Sequence, residues 1–162
     1  MKLISKKIIC VGVLLIMGLG LFCGCSSKIV KQEGFSLEIS VDKKIVKQGE
    51  ELKVTAVLRN NTGLSHYIIT SSTPIVLISV YSKRDNCKFE RLANRIDSTI
   101  EKDAVIENSM KWEAQEKGRF YILVQAEFLI VEDYTEQTNW LPIINSSREL
   151  TIYSKKINIE VK

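Results

Sequence analysis

From Phe35 the chain alternates with a period of two: Phe35, Leu37, Ile39 and Val41 point one way, Ser36, Glu38 and Ser40 the other. Successive side chains of an extended strand face opposite sides, so this pattern predicts a strand with one buried face. Lys47-Gln48-Gly49-Glu50 supplies a glycine turn. Leu52, Val54, Ala56 and Leu58 then alternate with Lys53, Thr55, Val57 and Arg59 until Asn60-Asn61-Thr62-Gly63 ends the strand. Tyr67 to Ile69 and Ile75 to Tyr81 are rich in β-branched and aromatic residues, and Ser71-Ser72-Thr73-Pro74 splits them, which predicts two further strands. Asp85-Asn86 marks a turn into Cys87 to Leu92. Ile106, Met110 and Trp112 share a face, and Trp112 is expected in the core between two sheets. Gly118 opens the longest apolar segment, Phe120 to Val131, apolar on both sides as a strand in the middle of a sheet should be. Leu150 to Tyr153 and then Ile157, Ile159 and Val161 close the chain.

Seven or more short strands, parted by turn residues and without the spacing of strand-helix-strand units, predict an all-β fold, an antiparallel sandwich. One stretch competes. Phe89, Leu92, Ala93, Ile96 and Ile100 recur every three to four residues, which suits a short amphipathic helix or turn within residues 89 to 100.

The N-terminus follows a different pattern. Lys2, Lys6 and Lys7 precede an unbroken run of apolar and small residues from Ile8 to Phe22, with no acid among them. A basic stretch followed by a short apolar run has the anatomy of a secretory signal, and the run is shorter than the roughly 20 apolar residues that a membrane-crossing helix needs. The junction Leu21-Phe22-Cys23-Gly24-Cys25-Ser26 resembles the bacterial lipobox, in which an apolar residue and a small residue precede the acylated cysteine. The resemblance implies cleavage after Gly24 and a lipid on Cys25; Phe22 departs from the leucine usual three residues before the cysteine. The expected organisation is a signal peptide over residues 1 to 24, a lipidated N-terminus with a short polar tether over 25 to 34, and one domain over 35 to 162. The expected location is extracytoplasmic, on a membrane surface.

Removing residues 1 to 24 changes the charge picture. The whole chain carries 23 Lys and Arg against 19 Asp and Glu, and the segment takes three lysines and no acid with it, so the basic balance falls almost to neutrality. Mixed charges leave no footprint for nucleic acid. Cys10 and Cys23 leave with the segment and Cys25 carries lipid, so Cys87 has no partner for an internal disulfide. It reads as a half-buried small hydrophobe, with a reactive thiol as the alternative.

The stretches VDKKIVKQGEELKVTAVLRNNTG (Val41 to Gly63), WEAQEKGRFYILVQAEF (Trp112 to Phe128) and the closing KKINIEV resemble bacterial immunoglobulin-like surface domains. That likeness implies an immunoglobulin-like sandwich. Phe120 stands where such domains carry a corner tyrosine, and Tyr121 comes one residue late. The same strand pattern has a distant likeness to the intracellular proteinase-inhibitor β-domain of bacilli.

Candidate chemistry is sparse. His66 is the single histidine, beside a turn at the head of a strand, and reads as a solvated loop-edge residue with a ligand or base as the alternative. Glu132-Asp133 with Glu136 lacks the alternating oxygen pattern of a calcium loop. No phosphate loop, serine elbow or zinc-helix motif occurs, so no catalytic residue, metal or cofactor is expected beyond the covalent lipid. The segment with most to offer is the long connection Glu132 to Ser147. Its apolar centre, Trp140-Leu141-Pro142-Ile143-Ile144, is costly to leave in water without purpose, and long connections in compact sandwiches are often functional. Trp140, Leu141 and Ile143 are therefore the candidate contacts for an envelope protein or glycan. The competing reading folds Trp140 and the isoleucines back as a lid or an extra edge strand. The functional expectation is a membrane-anchored, non-catalytic binding or structural module of the cell envelope. The alternative is a surface-tethered protease inhibitor using that loop.

Overall fold

The computed structural model describes residues 26 to 82, 95 to 135 and 143 to 162. Eleven strands form among them: β1 (Ser26–Gln32), β2 (Phe35–Val41), β3 (Ile45–Val46), β4 (Glu51–Asn60), β5 (His66–Thr70), β6 (Val76–Ser82), β7 (Ile96–Ile100), β8 (Val105–Glu113), β9 (Gly118–Thr135), β10 (Ile143–Tyr153) and β11 (Ile157–Val161). They make two sheets packed as a β-sandwich. One is antiparallel, in the order β1-β2-β4-β8. The other is built on β9, in the order β3-β11-β9-β5-β7, with β10 and β6 also paired to β9.

The alternations read from the sequence decide which side of each sheet is dry. Phe35, Leu37, Ile39 and Val41 of β2, and Leu52, Val54, Ala56 and Leu58 of β4, meet Ile122, Val124, Ala126, Phe128 and Ile130 of β9 across one core. Phe35 sets its ring edge-on to Phe128 at 5.4 Å between centroids, so the two sheets touch through an aromatic pair.

β9 is long because two broken strands flank it. On one side β10 runs alongside Gln125 to Thr135 and β11 alongside Gly118 to Ile122. The break at Ser154 is tied to β9 by two bonds, since Ser154 N–H donates to the Val124 carbonyl at 2.8 Å and the Val124 N–H donates to Ser154 Oγ at 2.9 Å. On the other side β5 covers Leu129 and Ile130, and β6 covers Phe120 to Ala126. The interruption between them is the Ser71-Ser72-Thr73-Pro74 stretch, which holds a cis Thr73–Pro74 bond.

Four expectations change. Ser26 to Gly34, read as a tether, is strand β1 and its turn, paired residue for residue with β2 from Ser26↔Val41 to Gln32↔Phe35. The two-residue turn has positive φ at both Glu33 (49°) and Gly34 (80°), the handedness that matches strand twist in a tight hairpin. Ile96 and Ile100, read as part of a helix, lie in β7 beside β5; Phe89, Leu92, Ala93, Cys87 and the Asp85-Asn86 turn fall outside the described residues. A spacing of four satisfies both a helix and one face of a strand, and pairing with β5 decided between them. Glu132 to Thr135 and Ile143 to Ser147, read as a loop, are the arms of the β9–β10 hairpin. Trp112 is half-buried at the margin of the core, packed on Phe120 at 5.0 Å between ring centroids, because β8 is the last strand of its sheet.

Candidate functional site

The β9–β10 hairpin rises from the end of the sandwich that also carries the β1–β2 turn. Beyond Ile130, the last β9 residue paired to β5, the segment Val131 to Thr135 is joined to β10 alone. Five residues of strand correspond to roughly 16 Å of two-stranded arm. Its pairing slips around Asn145 and Ser146. Such an irregularity bends and twists a ribbon. Asn145 Nδ2 spans the arm, donating to Thr135 Oγ1 at 3.1 Å and to Asp133 Oδ2 at 3.4 Å. At the base, Arg148 Nε donates to Glu132 Oε1 at 3.2 Å, while its other guanidinium branch is paired with Glu33 of the β1–β2 turn. One arginine thus links the arm to the facing sheet. The pairs are exposed, so they set geometry more than stability.

Of the candidate contacts, Ile143 opens β10 opposite Thr135, whereas Trp140 and Leu141 lie outside the described residues, as do Gly24 and Cys25. Glu132 and Asp133 are committed to Arg148 and Asn145. Among the described residues no three His, Cys, Asp or Glu side chains gather into a group that would hold a metal ion.

His66 stands at the head of a strand, as read, but it is not solvated. It opens β5, half-buried, with its ring on Phe35 at 5.6 Å and Nε2 2.7 Å from Thr62 Oγ1. Thr62 Oγ1 also lies 2.7 Å from Asn60 Oδ1 and 3.2 Å from the Leu64 carbonyl; when the hydroxyl proton is given to either oxygen, Nε2 is the donor to Thr62. Burial first, then the nearby Arg148, holds the imidazole below its ordinary pKa. These contacts make His66 part of a scaffold around Asn60. That buried amide donates from Nδ2 to the carbonyls of Leu64 (2.7 Å) and Glu101 (2.9 Å), and accepts at Oδ1 from the N–H and hydroxyl of Thr62.

The outward side of the β9 sheet carries a second cluster that sequence reasoning did not single out. Tyr81 and Tyr121 face each other across the β6–β9 pair and stack at 5.4 Å, with Lys156 Nζ 4.4 Å from the Tyr121 ring centroid. On β5 and β7, Tyr67 Oη donates to Asp97 Oδ1 at 2.7 Å and Arg95 forks onto the same carboxylate. Arg95 above all, with help from Tyr67, keeps Asp97 ionised below the usual carboxylate range. Tyr81 and Tyr121 come from β6 and β9, and Tyr67 and Asp97 from β5 and β7, so pairing between strands distant in sequence, not local spacing, brings the tyrosines to their partners.

Clefts along the surface are open and shallow. One of about 440 Å³ lies along β3, β11 and the start of β9, beside Lys44, Arg119 and Glu160. Another of about 610 Å³ lies against Trp112 and Phe120. No protein-family model, curated protein or solved structure matches the chain.

Proposed function

We propose that the chain is a lipoprotein of a bacterial envelope, cleaved after Gly24 and acylated on Cys25, whose sandwich is a non-catalytic binding or structural module. The observation that carries the reading is the N-terminal order of basic stretch, apolar run and Gly24-Cys25-Ser26. Strand pairing agrees with an immunoglobulin-like arrangement: β3 runs parallel to the last strand, β11, while β2 lies in the opposite sheet beside β4. The contact surface of the module is the far end of the β9–β10 arm, with Ile143 on its first paired rung and Trp140 and Leu141 just beyond in sequence. An aromatic anchor on a projecting arm suits an envelope protein or glycan. The same extended arm suits the second reading, a surface-tethered inhibitor that blocks a protease cleft.

One membrane preparation tests both halves. Mass spectrometry of the mature protein is expected to find a diacylglyceryl adduct on Cys25 that is lost in Cys25→Ala; a free N-terminus elsewhere removes the anchor. Cross-linking and recovery with the Trp140→Ala chain is expected to lose the wild-type partner, and unchanged recovery removes the arm as the contact surface.

A further inference from the structure

Among the described residues β8 is the last strand of its sheet and pairs with β4 alone. Two bonds bracket it and fix which way its backbone points: Asn60 N–H donates to the Ala104 carbonyl at 3.0 Å, and Ala114 N–H to the Glu50 carbonyl at 3.2 Å. Ladder bonds of an antiparallel pair are made by every second residue, so Ile106, Asn108, Met110 and Trp112 turn their peptide groups to β4. Val105, Glu107, Ser109, Lys111 and Glu113 turn theirs to the open edge. The register with β4 runs unbroken from Glu51↔Glu113 to Arg59↔Val105, and Asn108 Nδ2 ties the strand to the Val76 carbonyl of β6 at 2.8 Å. No bulge, proline or inward-pointing charge blunts this strand, although those devices commonly protect an edge.

The outward side chains of β8 are exposed, and their charges complement those of a second β8 turned end for end about Ser109. Glu107 then faces Lys111, Lys111 faces Glu107, Ser109 faces its own copy, and Val105, 55% exposed, faces Glu113. On the inner side Ile106 faces Trp112, which its own sheet leaves half-buried. Within one copy the neighbouring rungs are like-charged: Lys53 stands opposite Lys111 and Glu51 opposite Glu113, while Lys111 reaches diagonally to Glu51 at 3.2 Å. Glu107 of a second copy therefore brings a carboxylate to the Lys53–Lys111 rung. Its nearest like charge across the pair, Glu113, is a diagonal neighbour at roughly 7 Å, against about 5 Å for the facing Lys111. A slip of two residues sets Glu107 against Ser109 or Glu113 and loses both ion pairs, so charge selects one register. β1, the other edge of this sheet, has lysines and no acid, and self-pairing there gains no complementary charge.

We infer that β8 is a self-association edge: β8 of a second copy pairs with it antiparallel about Ser109 and joins the two four-stranded sheets into one. Opposite charges facing across strands stabilise such a pair, like charges oppose it, and the outward peptide groups of both copies find partners. One strand pairing buries less area than a permanent dimer, so the association is reversible and depends on concentration. It does not rest on the proposed acylation of Cys25. The two-fold axis is normal to the sheet and brings both Ser26 ends to the same height along it, so the pair is compatible with two anchors in one bilayer.

The test uses the full chain purified from membranes in detergent, with its mass followed by native mass spectrometry from about 1 to about 100 μM. The wild type is expected to pass from one copy to two across that range. Glu107→Lys and Lys111→Glu each set like charges on both rungs, and each is expected to raise the Kd about tenfold or more. The double variant restores opposite charges and is expected to return the Kd to within about threefold of wild type, a rescue that misfolding of the single variants does not produce. Carbodiimide treatment of an equal mixture of light and heavy-isotope chains is expected to join Glu107 to Lys111 in peptides that carry both isotopes. A protein that stays single at the highest concentration overturns the inference. A dimer whose Kd ignores the single reversals, or a double variant that stays as weak as the singles, removes β8 as the contact.

Discussion

At the residue scale, two side chains mark where the fold is least tolerant. Asn60 is 2% exposed, with both donor hydrogens and both acceptor positions of its amide used. Asn60→Ala removes four hydrogen bonds at a buried site, leaving the Thr62 N–H without its acceptor and the Leu64 and Glu101 carbonyls with one donor each, and is expected to cost about 2 to 3 kcal/mol in urea unfolding. Asn60→Asp keeps the shape but turns an oxygen toward the Leu64 and Glu101 carbonyls, so it is expected to cost more than the alanine. An aspartate as stable as wild type refutes the assignment. His66 next to it has a lowered pKa, so the unfolded chain binds its proton more readily than the folded one. Its contribution to stability is whole above about pH 6.5 and is lost as the pH falls from there toward the lowered folded value. The unfolding midpoint is expected to drop between about pH 7.5 and about pH 5.5, and to drop less in His66→Gln; parallel profiles for the two proteins count against it.

At the scale of elements, the β1–β2 hairpin depends on Gly34. Its φ of 80° is costly for any side chain, and a Cβ there would stand 2.7 Å from Thr62 Cγ2. Gly63 has the same φ with nothing within 4 Å of an added Cβ. Gly63→Ala is therefore expected to cost about 1 kcal/mol from backbone strain, and Gly34→Ala to exceed it by the clash. Equal losses in thermal unfolding mean that Thr62 moves aside. The hairpin was hard to read in the sequence because SSKIVKQ lacks a clean alternation: Ile29 is 51% exposed and Val30 is only partly buried. The Glu33-Gly34 dipeptide before a strongly alternating strand was the available sign. By contrast β2, β4 and β11, with every second residue in the core, matched their patterns to within two residues at each end.

For the whole molecule, one core holds both sheets together, and Phe35 and Phe128 bridge them near the end that carries the β1–β2 turn. The arrangement places the β1 start and the projecting arm at opposite ends, which is why a proposed membrane contact and a proposed partner contact do not compete for the same surface. The sequence by itself determined the all-β class, most strands, the central position of β9 and the candidate anchor at Cys25, because each depends on local periodicity or a contiguous motif. Only the tertiary structure decided that Ser26 to Gln32 pairs with β2, that Ile96 to Ile100 is strand, and that His66 is held in the Asn60 scaffold. Each of these depends on which distant segments become neighbours, and a pattern with a spacing of four or a mixed polar stretch satisfies more than one neighbour until long-range pairing selects among them.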